Sequence, residues 1–104
     1  MPSSKKLLRR FGLILNIIQD YSPAGWNGED KIVHKFIENS LKEIEEQAKN
    51  LDYKEFEYLY KTIKFYVKKN DFRPSPESHP LFGYLLKNFI ETLETQYTVR
   101  NRLD

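Results

Sequence analysis

Histidine and cysteine, which often bind metals or take part in catalysis, offer little chemistry in this sequence. The two histidines are His34, at the edge of a predicted helix, and His79, in a proline-rich segment. Neither has a partner at the spacing of a metal site or a catalytic triad. Cysteine is absent, which excludes disulfides, thiolate zinc sites, iron–sulfur clusters and thiol catalysis. The sequence therefore predicts surface or capping roles for both histidines, with no metal and no cofactor.

The carboxylates and glycines form no catalytic pattern either. Glu43, Glu45 and Glu46 belong to one charged helix face, and the inward Glu plus Glu-x-x-His pattern of di-iron bundles does not occur. Gly12 and Gly83 belong to no phosphate-binding loop, and both lie inside predicted helices. Glycine costs up to about 1 kcal/mol there relative to alanine, and close approach between helices is the expected reason. We expect a protein that is not an enzyme.

One helix face is better suited to binding than to catalysis. On the third predicted helix, Tyr58 and Phe65 lie seven residues apart and therefore two turns along one line, opposite the inward-facing Phe56. Lysines surround them, and no acidic residue shares that arc. An exposed phenylalanine among lysines is unexpected on a solvated helix face. The predicted interface consists of Lys54, Tyr58, Lys61, Phe65, Lys68 and Lys69.

Two functions from different classes fit this face. Aromatic residues are enriched at the centres of protein interfaces and lysine is depleted there, so the aromatics would anchor a protein partner inside a lysine rim. Alternatively, the lysines would neutralise phosphates while the aromatics stack on unpaired bases. The net charge of only +2 and the absence of arginine from the face favour protein binding. We expect a small non-catalytic protein-binding module of the adaptor, subunit or inhibitor type, with single-stranded nucleic-acid binding as the alternative.

Plainer explanations of the two aromatics remain open at this point. Tyr58 and Phe65 would also be accounted for if they packed against residues 21–29, or against their copies in a two-fold homodimer. Docking of the basic first helix on anionic lipid requires the most apolar helix to leave the core, so this option ranks last. The expected partner is therefore another protein or a second copy of the chain.

Four segments with a helical period position this face. They cover residues 4–20, 29–50, 53–69 and 79–100, and no segment alternates with period two for long enough to predict a strand. The sequence therefore predicts an all-α protein, an antiparallel four-helix bundle in a single domain of residues 1–104. The predicted inward residues are Leu7, Phe11, Ile14, Ile18 and Tyr21; Val33, Ile37, Leu41, Ile44, Ala48 and Leu51, with Phe36 beside them; Phe56, Leu59, Tyr60, Ile63, Tyr66 and Val67; and Phe82, Leu85, Leu86, Phe89, Ile90, Leu93 and Tyr97.

The connections between these segments differ in length and composition. Residues 50–52 form the shortest join, where Asp52 and Glu55 fit a capping box, so the second and third helices are expected to be antiparallel neighbours. Residues 21–29 form a loop, whose Trp26 is expected to fold back and plug the core more readily than to act as a contact residue. Residues 72–80 hold three prolines and predict an extended connection, with a proline-rich ligand as the lesser alternative.

The first helix is the most apolar and raises the question of a membrane or targeting role. Four basic residues precede its apolar run, as in a signal peptide, but Asn16, Gln19 and Asp20 interrupt the pattern. The run is also far shorter than the roughly 20 apolar residues that a spanning helix needs. We expect a helix that stays in the domain, no membrane span, and a soluble cytoplasmic protein.

Overall fold

The computed structural model describes residues 3–69 and 81–103. Within these ranges the chain forms four helices and no strand: α1 (Ser4–Asp20), α2 (Gly28–Ala48), α3 (Tyr53–Lys69) and α4 (Gly83–Leu103). The predicted four-helix bundle is confirmed, and the bounds of α1 and α3 match the prediction. Helix α2 ends two residues earlier than expected, while α4 begins later and extends further. The predicted connection at residues 72–80 lies outside the described residues.

The predicted inward stripes form the core. Leu7 and Phe11 of α1 are fully buried, and the ring of Phe11 stacks on that of Phe89 in α4 with 5.4 Å between centroids. Burying a side chain of this size contributes about 1.5–3 kcal/mol. The other residues of the four predicted stripes are buried or packed against this core, except that Tyr66 is exposed. Phe36, expected beside the α2 stripe, is exposed as well.

The starts of α1 and α3 lie at the same end of the bundle. Asp52 caps α3 as predicted, since its carboxylate accepts a hydrogen bond of 2.8 Å from the Glu55 N–H. The side chain of Glu55 is turned toward α1, where it accepts a hydrogen bond of 3.2 Å from the Ser4 N–H. Ser3 adds a second cap by accepting from the Lys6 N–H at 3.3 Å. Because each N-terminus lies beside the other, α1 and α3 run parallel.

The order of neighbours around the bundle differs from the expectation. Over the described residues, α1 packs along α2 and α3, and α4 packs along the same two helices. Helices α2 and α3 therefore occupy diagonally opposite positions in the bundle. They run in opposite directions, and a short join connects them. A short join fixes where the next helix begins, but it does not fix which helix its length contacts.

Arg100 of α4 binds the segment that connects α2 to α3. Its guanidinium donates hydrogen bonds to the carbonyl oxygens of Ala48 (3.2 Å), Lys49 (3.0 Å) and Leu51 (2.8 Å). The same group lies over the ring of Phe56, with 4.3 Å to the centroid. The last carbonyls of a helix lack intrahelical partners, and a cation there also interacts favourably with the helix dipole. Arg100 therefore completes the end of α2 from another helix.

Asp30 organises the loop between α1 and α2. Its buried carboxylate accepts hydrogen bonds from the backbone N–H groups of Ala24 (3.0 Å), Trp26 (2.6 Å) and Asn27 (3.2 Å), and from the hydroxyl of Tyr21. The Asn27 side chain accepts from the Asp30 N–H at 3.0 Å, which completes a capping box at the start of α2. The Tyr21 hydrogen bond, followed by those from the backbone, lowers the pKa of Asp30.

Trp26 does not plug the core, so that prediction is wrong. Its side chain is 49% exposed and packs edge-on against His34, with 5.2 Å between ring centroids. The hydrogen bond from its N–H to Asp30 fixes the backbone, and both Gly25 (φ 103°) and Trp26 (φ 71°) adopt positive φ. This backbone path turns the indole outward. His34 is half-buried at this contact.

Candidate protein-binding surface

The six predicted interface residues lie together on the solvent side of α3. We call Lys54, Tyr58, Lys61, Phe65, Lys68 and Lys69 the α3 face, and all six are exposed. Tyr58 is 51% exposed and Phe65 is 62% exposed. Packing of both rings inside the chain therefore does not explain them. The helical period places them as the sequence indicates, because α3 turns its buried residues toward α1 and α4.

The carboxylate of Glu57 borders the α3 face and compensates one of its lysines. The Lys61 ammonium lies 3.6 Å from Glu57 Oε2, which also accepts hydrogen bonds from the hydroxyls of Tyr97 (2.9 Å) and Tyr53 (3.2 Å). The hydrogen bond from Tyr97 is the largest cause that lowers the pKa of Glu57, so this carboxyl stays ionised. The α3 face is thus bordered on the α4 side by an acidic residue, Glu57, which is not one of its six predicted residues.

Tyrosine rings hold this border together. The Tyr97 ring of α4 stacks on Tyr60 at 4.8 Å and on Tyr53 at 6.2 Å between centroids. Burial is the largest cause that raises the pKa of Tyr53 to about 12. Glu57 thus joins a phenol of α3, Tyr53, to a phenol of α4, Tyr97. We therefore assign this cluster to the packing of α3 against α4. Sequence reasoning missed it because Glu57 and Tyr97 are 40 residues apart.

Helix α1 extends the α3 face into a groove. The α1–α3 groove has a volume of about 580 Å³ and is lined by Lys5, Arg9 and Gly12 of α1 and by Tyr58, Thr62 and Tyr66 of α3, among others. Tyr58 thus belongs both to the face and to the groove. Phe65 lies beside the groove, where its ring meets Tyr66 edge-on at 6.3 Å between centroids.

Gly12 does not serve a close approach between helices, so that expectation is wrong. A methyl group placed on Gly12 would meet no heavy atom within 4 Å, apart from its own helix backbone and chain neighbours. The position opens onto the α1–α3 groove. Packing within the chain therefore does not account for the glycine.

The two neighbouring helices α1 and α3 are both rich in basic residues, whereas α2 is rich in acidic ones. Helix α1 carries four basic and one acidic side chain, and α3 carries five and two. Helix α2, on the other side of α1, carries three basic and six acidic side chains. Because α1 and α3 pack side by side, Lys5 and Arg9 of α1 line the groove beside the α3 face. The sequence shows both basic segments but not that they are adjacent.

A more apolar groove separates α1 from α2. Leu13 (60% exposed) and Phe36 (55% exposed) lie on its two sides, and its volume is about 820 Å³. The ion pair between Arg10 and Glu43 (2.9 Å) lies at its edge. This surface was not predicted, since both side chains flank the inward stripes of their helices. Nothing in the described part of the chain shows what covers it.

The described part of the chain holds neither a metal-binding cluster nor a membrane-spanning helix. There, no three histidine, aspartate or glutamate side chains come together in a group that could hold a metal ion. In the described ranges, no helix combines the length and the hydropathy needed to cross a bilayer. His79 lies outside these ranges.

No protein-family model, curated protein or solved structure matches this chain.

Proposed function

We propose that this chain is a small non-catalytic protein-binding module, of the adaptor, subunit or inhibitor type, that binds its partner through the α3 face. The observation that carries the proposal is the exposure of Tyr58 and Phe65 on one line of α3 among lysines. Large aromatics surrounded by polar residues are the typical anchors of interfaces. The cytoplasmic location expected from the sequence is part of this proposal.

A heterologous partner fits the face better than a second copy does. A two-fold dimer through the α3 face would bring its lysines, among them Lys61, Lys68 and Lys69, close to the lysines of the second copy. Like charges opposed across an interface cost several kcal/mol. A partner that brings acidic groups to the lysine rim avoids this repulsion. We therefore propose another protein ahead of self-association.

Single-stranded nucleic acid is the second candidate. Lys5 and Arg9 of α1 lie beside Tyr58 in the groove, so basic and aromatic side chains are interleaved there. Such a combination binds unpaired strands by neutralising phosphates and stacking on bases. The absence of arginine from the α3 face and the net charge of only +2 still favour a protein partner over nucleic acid.

The test is to capture partners from an extract of the source cells on immobilised protein, with and without nuclease. The captured component is then titrated against wild type and against Tyr58→Ala with Phe65→Ala. A matched control is Phe36→Ala with Tyr84→Ala, which removes the same two ring types from similarly exposed positions on α2 and α4. We expect the α3 pair to abolish binding while the control pair and the denaturation midpoint change little.

The lysines separate the two candidates. With Lys61, Lys68 and Lys69 changed to Gln, a protein complex anchored by aromatics should lose mainly association rate, whereas a nucleic-acid complex should lose most of its affinity and salt dependence. Capture that disappears after nuclease treatment would favour the second candidate. Unchanged affinity in the Tyr58 and Phe65 variant, with normal stability, would show that the α3 face is not the binding surface.

A further inference from the structure

Gly12 leaves a gap in the wall of the α1–α3 groove that the fold itself does not use. An interior glycine costs a helix up to about 1 kcal/mol relative to alanine. Nothing within 4 Å would obstruct a methyl group at this position. Glycine also lets another molecule approach the backbone closely. The gap therefore points to an occupant that lies over α1 at Gly12.

The two sides of the groove indicate the chemistry of that occupant. Lys5 and Arg9 stand on the α1 side, and the exposed lysines of the α3 face continue the positive charge beyond Tyr58. The occupant should therefore carry negative charge along its outer sides. Charge complementarity of this kind raises the association rate and selects among partners.

The inner wall of the groove is partly apolar. Leu8, Leu13 and Leu15 contribute to its lining together with the rings of Tyr58 and Tyr66. Leucine side chains offer nothing to a phosphate backbone, but they accommodate the apolar residues of an amphipathic helix. A channel between two parallel helices is also the shape into which a third helix fits, with side chains packed into the gaps between neighbours.

We propose that the α1–α3 groove binds an acidic amphipathic helix of a partner protein, with the helix crossing over Gly12. This proposal rests on the proposed protein-binding function and names the class of segment that the partner presents. The apolar stripe of the helix packs against the leucines and tyrosines of the groove. Its acidic flanks face Lys5 and Arg9 on one side and the lysines of the α3 face on the other.

The test uses a displayed library of helical peptides that share a leucine stripe and vary at all other positions. Peptides are selected on the wild-type chain and then titrated against wild type, Gly12→Leu and the control Asn39→Leu, which adds an exposed leucine on α2. We expect acidic residues to be enriched in the selected peptides. Gly12→Leu should weaken their binding by about tenfold or more, whereas Asn39→Leu should leave it unchanged.

Stability is measured on the same variants. Gly12→Ala replaces a poor helix former by a good one where nothing lies within 4 Å of the added methyl group, so it should raise the denaturation midpoint. Gly12→Leu also introduces a good helix former, so its midpoint should not fall below that of wild type. A variant that is more stable and yet binds less separates blockage of the groove from unfolding. Amide shifts in NMR spectra of wild type with peptide should concentrate at Gly12, Thr62 and Tyr66.

Selected peptides without acidic enrichment, peptides that bind Gly12→Leu as tightly as wild type, or shifts that map to another face would each overturn the proposal. So would a single-stranded oligothymidylate that displaces the peptides and binds more tightly than they do. A captured partner that needs Tyr58 and Phe65 but tolerates Gly12→Leu would leave the protein-binding function standing and refute the groove. Partner binding that is unchanged by substitution of Tyr58, Phe65 and Gly12 would refute both the α3 face and the groove as binding surfaces.

Discussion

The hydroxyl of Tyr21, just after α1, donates a hydrogen bond to the buried carboxylate of Asp30 in the first turn of α2. Backbone N–H groups from three residues of the intervening loop converge on the same carboxylate. Hydrogen bonds to an ionised acceptor are stronger than those between neutral groups. One side chain therefore joins two helices, fixes the path of the loop between them and orients Trp26 toward solvent.

Replacing Asp30 by Asn should destabilise the bundle clearly. An amide of the same shape keeps one acceptor oxygen but points an NH2 group at N–H donors, which leaves buried groups unsatisfied. The urea midpoint should fall well below that of wild type. Glu29→Gln is the control, since it removes the same charge from an exposed position in the same helical turn. Equal midpoints for the two variants would show that the Asp30 network contributes little.

Acid should weaken the fold partly through the same carboxyl. The pKa of Asp30 is lowered from its ordinary 3.8, first by the hydrogen bond from Tyr21. Because the folded-state pKa lies below the unfolded one, the stabilisation is present above about pH 4 and is lost as the pH falls through the folded-state value. The gap in urea midpoint between wild type and Asp30→Asn should stay level between about pH 5 and 7, then narrow toward pH 2. A gap independent of pH would argue against an ionised Asp30 in the fold.

Arg100→Ala should cost about 2 kcal/mol, because it removes a charged donor from three carbonyl oxygens and from the face of Phe56. Arg100→Lys keeps the charge but cannot reproduce the planar fork, so it should recover only part of the loss. Guanidinium chloride denaturation measures both. Arg102→Ala, two residues further on an exposed position, should change stability by less than about 0.5 kcal/mol. Equal losses of stability in Arg100→Ala and Arg102→Ala would show that the contacts of Arg100 with the carbonyl oxygens do not stabilise the fold.

The adjacent residues Ile14 and Leu13 offer a direct comparison of buried and exposed positions on α1. Ile14 is 4% exposed and Leu13 is 60% exposed. Ile14→Ala should cost about 2–5 kcal/mol by removing buried volume and leaving a cavity. Leu13→Ala should cost much less, since little of its apolar surface is buried and alanine favours the helix. Thermal unfolding followed by circular dichroism ranks the two, and the reverse order would place the wrong face of α1 in the core.

The burial of residues such as Ile14 and Phe89 could be predicted because a helix that must hide an apolar face repeats that face every 3.6 residues. The interior is a property of local periodicity, and the sequence carries it directly. The inward position predicted for Tyr66 is wrong for a related reason. It lies at the edge of the apolar stripe, where a shift of the neighbouring helix decides between burial and exposure.

The neighbour relations could not be predicted, because they depend on contacts between distant residues. Glu55 fits a capping box by spacing alone, yet its carboxylate reaches Ser4 on another helix. That contact belongs to the end where α1 starts beside α3, and it is this pairing that brings Arg9 next to Tyr58. The α3 face was therefore visible in the sequence, whereas the groove that enlarges it was not. The sequence shows that Gly12 weakens a helix, but only the structure shows that no neighbouring atom requires a glycine there.

Arg100 is synthesised 49 to 52 residues after the carbonyl groups that it binds at the end of α2. While α4 is still being made, those groups lack the Arg100 donor, and Phe11 lacks the ring of Phe89. A nascent chain that ends before α4 thus exposes the apolar sides of α1, α2 and α3, the kind of surface that chaperones bind and that leads to aggregation. The bundle closes only once α4 has been made, so a ribosome that pauses within α4 prolongs the interval in which these apolar sides are exposed.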